Sequence, residues 1–557
     1  MNEILFSYLP KNCPNCGTRL REYRRDRKLV RTLSGEFTAV HKIMMCPREK
    51  REYRSEKLFE IVPKRCRYSN DVMVESAIER FITGKSCSEI SRSLCMSESH
   101  AGKMSNQALD IFRKIHEESA KKLAAAMPSY ILQIDGTVDS EFSMIVAVKD
   151  ALSGFVLYAR KCPSESQASI EGVMKSVKDR FGTPSGITCD MRSGIISASE
   201  KIFPEVPVRI CLMHFLRDLG KELMLDLHTD LGIMINRMGI KSMLRTIMHD
   251  MPEYCESTLN EIDEGFCTDR KNIEEMAIKR ILEELFRNGS SGYGFPFSLR
   301  HLNFFTSCEE VLRNLSELAP RMRHESSIKI IERIKDEISK VTDNPGIMRI
   351  AHQLKDINSA IFQKIRGAFR IPESGDLSND IYDTSRDDPI VHEQCRIVFG
   401  ELEVYLHANI EKHILRSAKL AIDRFSKRES MLFSQNREGT MKRTNNGMEI
   451  LFRKVRRNVR KRCGNIATGN VIAQSGESLL LFQNVDNQRY RDAVFGKEDM
   501  SEVFSRYRMP FKKEGMTRKR IIALVDKGTK MILEDHIPDS PYSRELMSEY
   551  FSNCNKG

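Results

Sequence analysis

Tryptophan is absent from the 557 residues and aromatic residues make up only 7% of them, so any stacking on a nucleobase falls to Phe, Tyr, His or Arg. No stretch approaches the roughly 20 apolar residues of a membrane-crossing helix. The opening Met1-Asn2-Glu3-Ile4-Leu5-Phe6 has neither the basic region nor the long apolar core of a secretory signal. A cytoplasmic protein with no membrane partner is therefore expected, nucleoid-associated if the source is prokaryotic. Acidic residues are outnumbered: 77 Asp and Glu against 89 Lys and Arg leave a net charge of +12, which points to a polyanionic partner. Cysteine is plentiful, but fifteen copies scattered along the chain predict thiols or metal ligands instead of a disulfide framework. No internal repeat is visible, and the length allows several domains.

The first region, 1–68, is basic and carries the knuckle Cys13-Pro14-Asn15-Cys16-Gly17, followed by a hairpin pattern that turns at Ser34-Gly35 and ends at Cys46. A zinc ribbon takes two ligands from each of two such knuckles. Here the second, Cys46-Pro47-Arg48-Glu49, has Glu in place of a second Cys. Cys13, Cys16, His41 and Cys46 are taken as the zinc set, with Glu49 or Cys66 as other candidates for the fourth place. The rival reading is a zinc-free basic hairpin. Region 69–127 shows apolar residues at helical spacing, with a break at Cys95-Met96-Ser97-Glu98. Two short helices about a tight turn suggest a helix-turn-helix that lays its second helix in a major groove; a plain helical hairpin is the alternative.

From 129 the period changes. Apolar runs at 130–134, 142–148 and 154–159, separated by turn signals, predict three consecutive antiparallel strands. A helix at 166–181, a strand at 186–189, a helix at 193–202 and a strand within 206–211 follow. This is the element order of an α/β ribonuclease-H-like core (first part 128–215), in which the first strand lies centrally beside the fourth and brings Asp135 to Asp190. Residues 216–440 read as an all-helical insertion, interrupted at 288–294 and 372–390; 441–475 completes the core, and 476–557 is an unassigned tail with a basic patch at Arg518-Lys519-Arg520.

Asp135, Asp190 and Glu449 each have an ordinary reading. Asp135-Gly136 is a hairpin-turn dipeptide, Asp190 is placed to cap a helix, and Glu449 stands three residues after Asn446, as in a capping box. Together they form a three-acid set at the ends of separate elements, suited to metal-assisted phosphodiester chemistry. Two divalent ions clamp the attacking and leaving oxygens when shared carboxylates hold them roughly 3.5–4 Å apart. Arg453, Lys454, Arg456, Arg457, Arg460 and Lys461 follow Glu449 on one helix and would hold a phosphate backbone; the plain alternative is a solvated face. Cys211-x-x-His214 has too few ligands for a structural zinc and reads as a buried Cys with a hydrogen-bonded His.

Taken in order, Ile134-Asp135-Gly136, Thr188-Cys189-Asp190, Cys211-Leu212-Met213-His214 and Thr444-Asn445-Asn446-Gly447-Met448-Glu449 with its basic helix resemble the D-D-E transposases of insertion sequences, in the Mutator-like supergroup and its prokaryotic relatives. The resemblance covers roughly 1–465. It implies a DNA transposase that binds terminal inverted repeats through its N-terminal region. Asp135, Asp190 and Glu449 would hold two Mg²⁺ (Mn²⁺ can substitute), and the enzyme would cut and join double-stranded DNA as a homodimer or larger assembly. Inserted domains of related enzymes can stack a Trp on a flipped base; Phe304 and Phe305 are the substitutes here. The rivals are a nuclease of the same fold without joining activity, a domesticated DNA-binding regulator and an RNA-binding protein.

Overall fold

The structure is a computed structural model that describes residues 2–138, 144–164, 166–266, 268–287, 294–371, 388–408, 410–464, 469–508 and 522–528. It is a mixed α/β protein, mostly helical, with two mixed sheets among the described residues. The chain divides into two compact units, one of Met1–Asn70 with Ser505–Gly557 and the other of Asp71–Phe504. The helices after residue 70, the α/β core and the helical region all fall in the second unit.

The first unit is built on β1 (Asn2–Ser7), β2 (Arg21–Thr32), β3 (Gly35–Met45) and β4 (Glu52–Tyr53). The expected hairpin is β2–β3, turning at Leu33-Ser34, one residue earlier than predicted. β1 joins the other edge of β3 in parallel, giving the order β1-β3-β2. The central strand β3 buries Ala39, Val40, His41 and Ile43, whereas most of β2 faces solvent. The apolar core is small, formed at one end by Phe6, Val30, Ala39, Leu58 and Val62 and at the other by Cys13, Leu20 and Cys46.

The second unit contains β5 (Ile131–Val138), β6 (Met144–Asp150), β7 (Val156–Cys162), β8 (Gly186–Cys189) and β9 (Val208–Ile210), in the order β7-β6-β5-β8-β9. β5, β6 and β7 pair antiparallel; β8 lies parallel to β5, and β9 parallel to β8. The first strand of the sheet is thus central and beside the fourth. β6 and β8 are nearly continuous apolar runs because both of their faces are covered. The crossover helix Gln167–Phe181 stops at Gly182, whose φ of +81° suits glycine.

Glu477 and Asn484, in the stretch left unassigned from sequence, complete the edge of this sheet. The Asn484 side chain accepts from Val156 N and donates to Val156 O, both at 2.8 Å, supplying the two bonds a neighbouring strand would give. Glu477 Oε1 accepts from Lys161 N at 3.0 Å. A side chain standing in for a strand leaves no periodicity to read, so the sequence carried no signal for it. Arg518-Lys519-Arg520 lies outside the described residues.

Helices Asn70–Phe81, Cys87–Ser93 and Glu98–Glu118 lie where a helix-turn-helix was expected, with the break at Leu94–Ser97. The third helix packs one face inward and leaves the other open. It buries Met104, Ala108, Phe112 and His116, and its open face mixes Glu98, Lys103, Asn106, Asp110, Arg113 and Lys114. His116 is a fastener. Its Nε2 lies 2.9 Å from the Leu157 carbonyl, which can only accept, so Nε2 carries the proton and Nδ1 accepts from the Tyr490 hydroxyl at 2.7 Å. Complete burial lowers its pKa from 6.5 to about 4. A histidine that is neutral when folded and protonates more readily when unfolded stabilises fully above pH 6.5 and loses that contribution as pH falls toward 4. The loss integrates to roughly 3 kcal/mol at the acid end. Melting curves should therefore shift down more steeply between pH 6.5 and 4 in the wild type than in His116→Gln; equal slopes would remove this role.

Between Leu212 and Leu432 the described residues form helices and no strand, and they share one hydrophobic core running from Ile210 to Leu432. Buried Asp388 ties this region to the sheet. It accepts from Arg209 NH1 of β9 at 2.5 Å and from Arg443 Nε, on the return path, at 2.7 Å. Removing one member of such a buried set typically costs about 3–5 kcal/mol. Phe304 and Phe305 are core residues at 6% and 2% exposure, so they do not present faces for a base. Of the predicted interruptions at 288–294 and 372–390, residues 288–293 and 372–387 lie outside the described residues.

Candidate active site

Asp135 sits within β5, not in a turn. The strand runs on to Val138 because Asp135, Gly136 and Thr137 pair with Ala147, Val146 and Ile145 of β6, which overrides the Asp-Gly turn preference. Its Oδ1 accepts from Gly136 N at 2.8 Å. Asp190 follows the last residue of β8, the parallel neighbour of β5. Its Oδ1 accepts from Arg192 N at 3.1 Å and its Oδ2 pairs with Arg192 Nε at 3.0 Å. It therefore braces the turn before the helix Ser193–Ile202 and leaves the cap position to Arg192. Glu449 lies in the first turn of the helix Asn446–Cys463. The capping box does not form: Asn445 is the N-cap, so Glu449 falls one position too late. Its Oε1 instead faces Arg217 NH1 at 3.4 Å and His214 Nε2 at 3.7 Å.

The segment leading to Glu449 is fastened bond by bond to the elements that carry the aspartates. Thr188 Oγ1 donates to Lys442 O at 3.3 Å, Leu212 N to Arg443 O at 3.0 Å, and Gln133 Nε2 to Thr444 O at 3.1 Å. Asn445, fully buried, donates its backbone N–H to Cys211 Sγ at 3.2 Å and its side-chain amide to Ile134 O at 3.0 Å, next to Asp135. Gly447 passes so close to Gln133 that a Cβ would lie 2.5 Å from Oε1, which explains glycine there. Cys211 is buried as expected, and its acceptor role toward Asn445 was not visible in sequence. Arg217 and Gln133 were also missed; for Arg217 the signal was present, since it stands one helical turn beyond His214.

The three carboxylates line one cavity of about 800 Å³ together with Arg453, Arg456, Arg457 and Arg460. These arginines follow Glu449 at steps that keep one helical face. Lys454 and Lys461 were grouped with them from the charge run, but helical geometry turns them away. Lys454 pairs with Asp486 at 2.5 Å, and Lys461 donates to Thr83 O at 2.9 Å. Burial raises the Asp135 carboxyl to about 6, and the Asp190 charge pushes the same way. Burial likewise raises Asp190. For His214, burial acts downward but is outweighed by the Cys211 sulfur, Asp135 and Glu449, so its pKa rises to about 9 and the ring is charged at neutral pH. The three carboxylates share the cavity, but their oxygens do not form a group lying within 4.8 Å of one another, and Glu449 faces Arg217 and His214.

A second group lies in the first unit. Cys13, Cys16, Cys46 and Glu49 offer ligand atoms that all lie within 4.8 Å of one another and could hold a metal such as zinc. The two knuckles repeat one geometry. Gly17 N donates to Cys13 O at 2.9 Å and Lys50 N to Cys46 O at 2.8 Å, with φ of +69° and +51° at those residues. Backbone amides of Asn15 and Cys16 point to the Cys13 sulfur, and those of Arg48 and Glu49 to the Cys46 sulfur. His41 lies outside this group: it is buried in β3 with its ring edge-on to Phe59, centroids 5.5 Å apart, and the fourth group within reach is the Glu49 carboxylate of the second knuckle.

No helix among the described residues is long and apolar enough to cross a membrane. In comparisons with known proteins, the chain matches no family model and no curated protein.

Proposed function

We propose that the protein is a DNA transposase of the D-D-E kind, with a ribonuclease-H-like core in its second unit. The observation that carries this reading is the meeting of Asp135, Asp190 and Glu449, from three elements remote in sequence, in one cavity walled by arginines. The sheet order, with β5 central between β6 and β8, supports the fold assignment. Asp135, Asp190 and Glu449 would hold Mg²⁺ or Mn²⁺, which when bound supplies Lewis-acid stabilisation and a nucleophilic oxygen at neutral pH. The chain's own residues do the rest. Arg453, Arg456, Arg457 and Arg460 hold the phosphate backbone; Arg217 and His214 orient Glu449; Asn445 and Cys211 fix the segment that brings Glu449 to the sheet. End recognition is assigned to the basic first unit, and pairing of two ends would require at least two copies of the chain.

Joining separates a transposase from a nuclease of the same fold. The genomic flanks of the coding region should contain matching inverted repeats bounded by short direct repeats. A duplex ending in that repeat, incubated with the full-length protein, Mg²⁺ and a supercoiled plasmid, should become covalently joined to the plasmid through its 3′ end. Cleavage without joined product would leave the nuclease reading standing in its place.

A further inference from the structure

The carboxylate cavity continues into a smaller pocket of about 300 Å³, the two sharing Met191, Asp218 and Lys221 as a common wall. The link is a helical stripe. His214, Asp218 and Lys221 stand on successive turns of the helix Leu212–Arg237 and lead from the acids to the small pocket. Its floor is apolar, made by Met191, Phe215 and Leu219, and its polar lining is mixed: Lys221 pairs with Asp218, Arg424 with Glu222, and Arg428 adds a third cation. Arg424 lies in the last turn of the helix Lys412–Ser426 and Arg428 just past it, so both come from the helical region.

Cations at a helix C-terminus have an ordinary role in offsetting the carbonyl dipoles, and Arg424 Nε pairs with Glu222 at 2.7 Å. That role does not account for the position of both arginines on a pocket that shares Met191, Asp218 and Lys221 with the carboxylate cavity. Three cations against two acids over an apolar floor leave a net positive lining, which suits a nucleic-acid strand whose sugars and bases rest on carbon while its phosphates meet Lys and Arg.

We propose that Lys221, Arg424 and Arg428 form a second DNA-backbone surface, continuing the carboxylate cavity onto the helical region, so that a bound strand is gripped on both sides of the acids. This rests on the transposase reading for its ligand, and it adds that the helical region itself binds DNA.

The test is equilibrium binding of a fluorescent 30-base-pair duplex to the full-length protein across a salt series. Arg424→Ala/Arg428→Ala should lower the steepness of log affinity against log salt by about 1.8, from about 0.9 per phosphate contact, and weaken binding about tenfold near 0.1 M salt. Arg424→Lys/Arg428→Lys keeps the charges and should restore most of the slope, which separates phosphate contact from damage to the fold. Arg453→Ala/Arg457→Ala should add its own loss of slope independently. A wild-type slope in the Arg424→Ala/Arg428→Ala protein would overturn the second surface while leaving the carboxylate site untouched. Absence of any DNA binding by the wild type would overturn both readings.

Discussion

Replacing Cys46 with Ser is expected to strip the first unit of bound metal and unravel the end of its sheet. The apolar core there consists of little more than Cys13, Leu20 and Cys46, too little to hold two knuckles and the end of a hairpin by hydrophobic burial. Small domains of this kind depend on a metal or a disulfide. Zinc binding by finger-like peptides is worth an apparent 10–16 kcal/mol or so at neutral pH, so the effect of losing it is large. Elemental analysis of purified protein should give one zinc per chain, lost in Cys46→Ser and Cys13→Ser. Hydrogen exchange in the turns after Cys13 and Cys46 should rise sharply when a chelator is added. His41→Ala should keep its zinc, whereas Glu49→Ala should bind it more weakly. Zinc lost from His41→Ala and retained by Glu49→Ala would reverse the assignment of the fourth ligand.

The elements that form the central sheet were legible because each has a local signature. The strands at β5 to β9 are short apolar runs between turn signals, and the helices between them keep a 3.6-residue period. The places of Asp135, Asp190 and Glu449 followed from that order. What the sequence did not reveal depends on contacts between distant residues. Asn484 replaces a strand with one amide, and Asn445 links Cys211 to Ile134; neither has a pattern in its own neighbourhood. The charge run after Glu449 overstated the basic face, since composition counts Lys454 and Lys461 equally with Arg453 and Arg457, and only helical angle separates them. Local rules also misled where pairing was stronger. Asp135-Gly136 carries a turn signal, yet its hydrogen bonds to β6 hold it in the strand. His41 was selected for its ligand chemistry, but its place in β3 fixes it on Phe59.

Asp135→Asn, Asp190→Asn and Glu449→Gln should each remove metal-dependent cleavage of DNA while leaving DNA binding nearly intact. Each change keeps the size of the side chain and removes the charge that a divalent cation needs. The cations proposed to grip the backbone, Arg453, Arg456, Arg457 and Arg460, are separate residues on the same cavity. Stabilisation by a bound metal is worth several kcal/mol in the transition state, and each 1.36 kcal/mol or so is a factor of ten in rate. Each variant is thus expected to cut on the order of a thousandfold more slowly, or below detection. Loss of repulsion among crowded acids should, if anything, raise thermal stability slightly, so a folding defect is not the expected cause.

The most direct measurement is single-turnover cleavage by wild type and these three variants, with Mg²⁺ and with Mn²⁺, alongside the dissociation constant of each protein for the same duplex. Convergence of the three acids on one metal-binding centre predicts that all three rates collapse together with either ion while the dissociation constants stay within about threefold, since the phosphate-binding arginines are unchanged. Wild-type cleavage by any one of the three variants would contradict it.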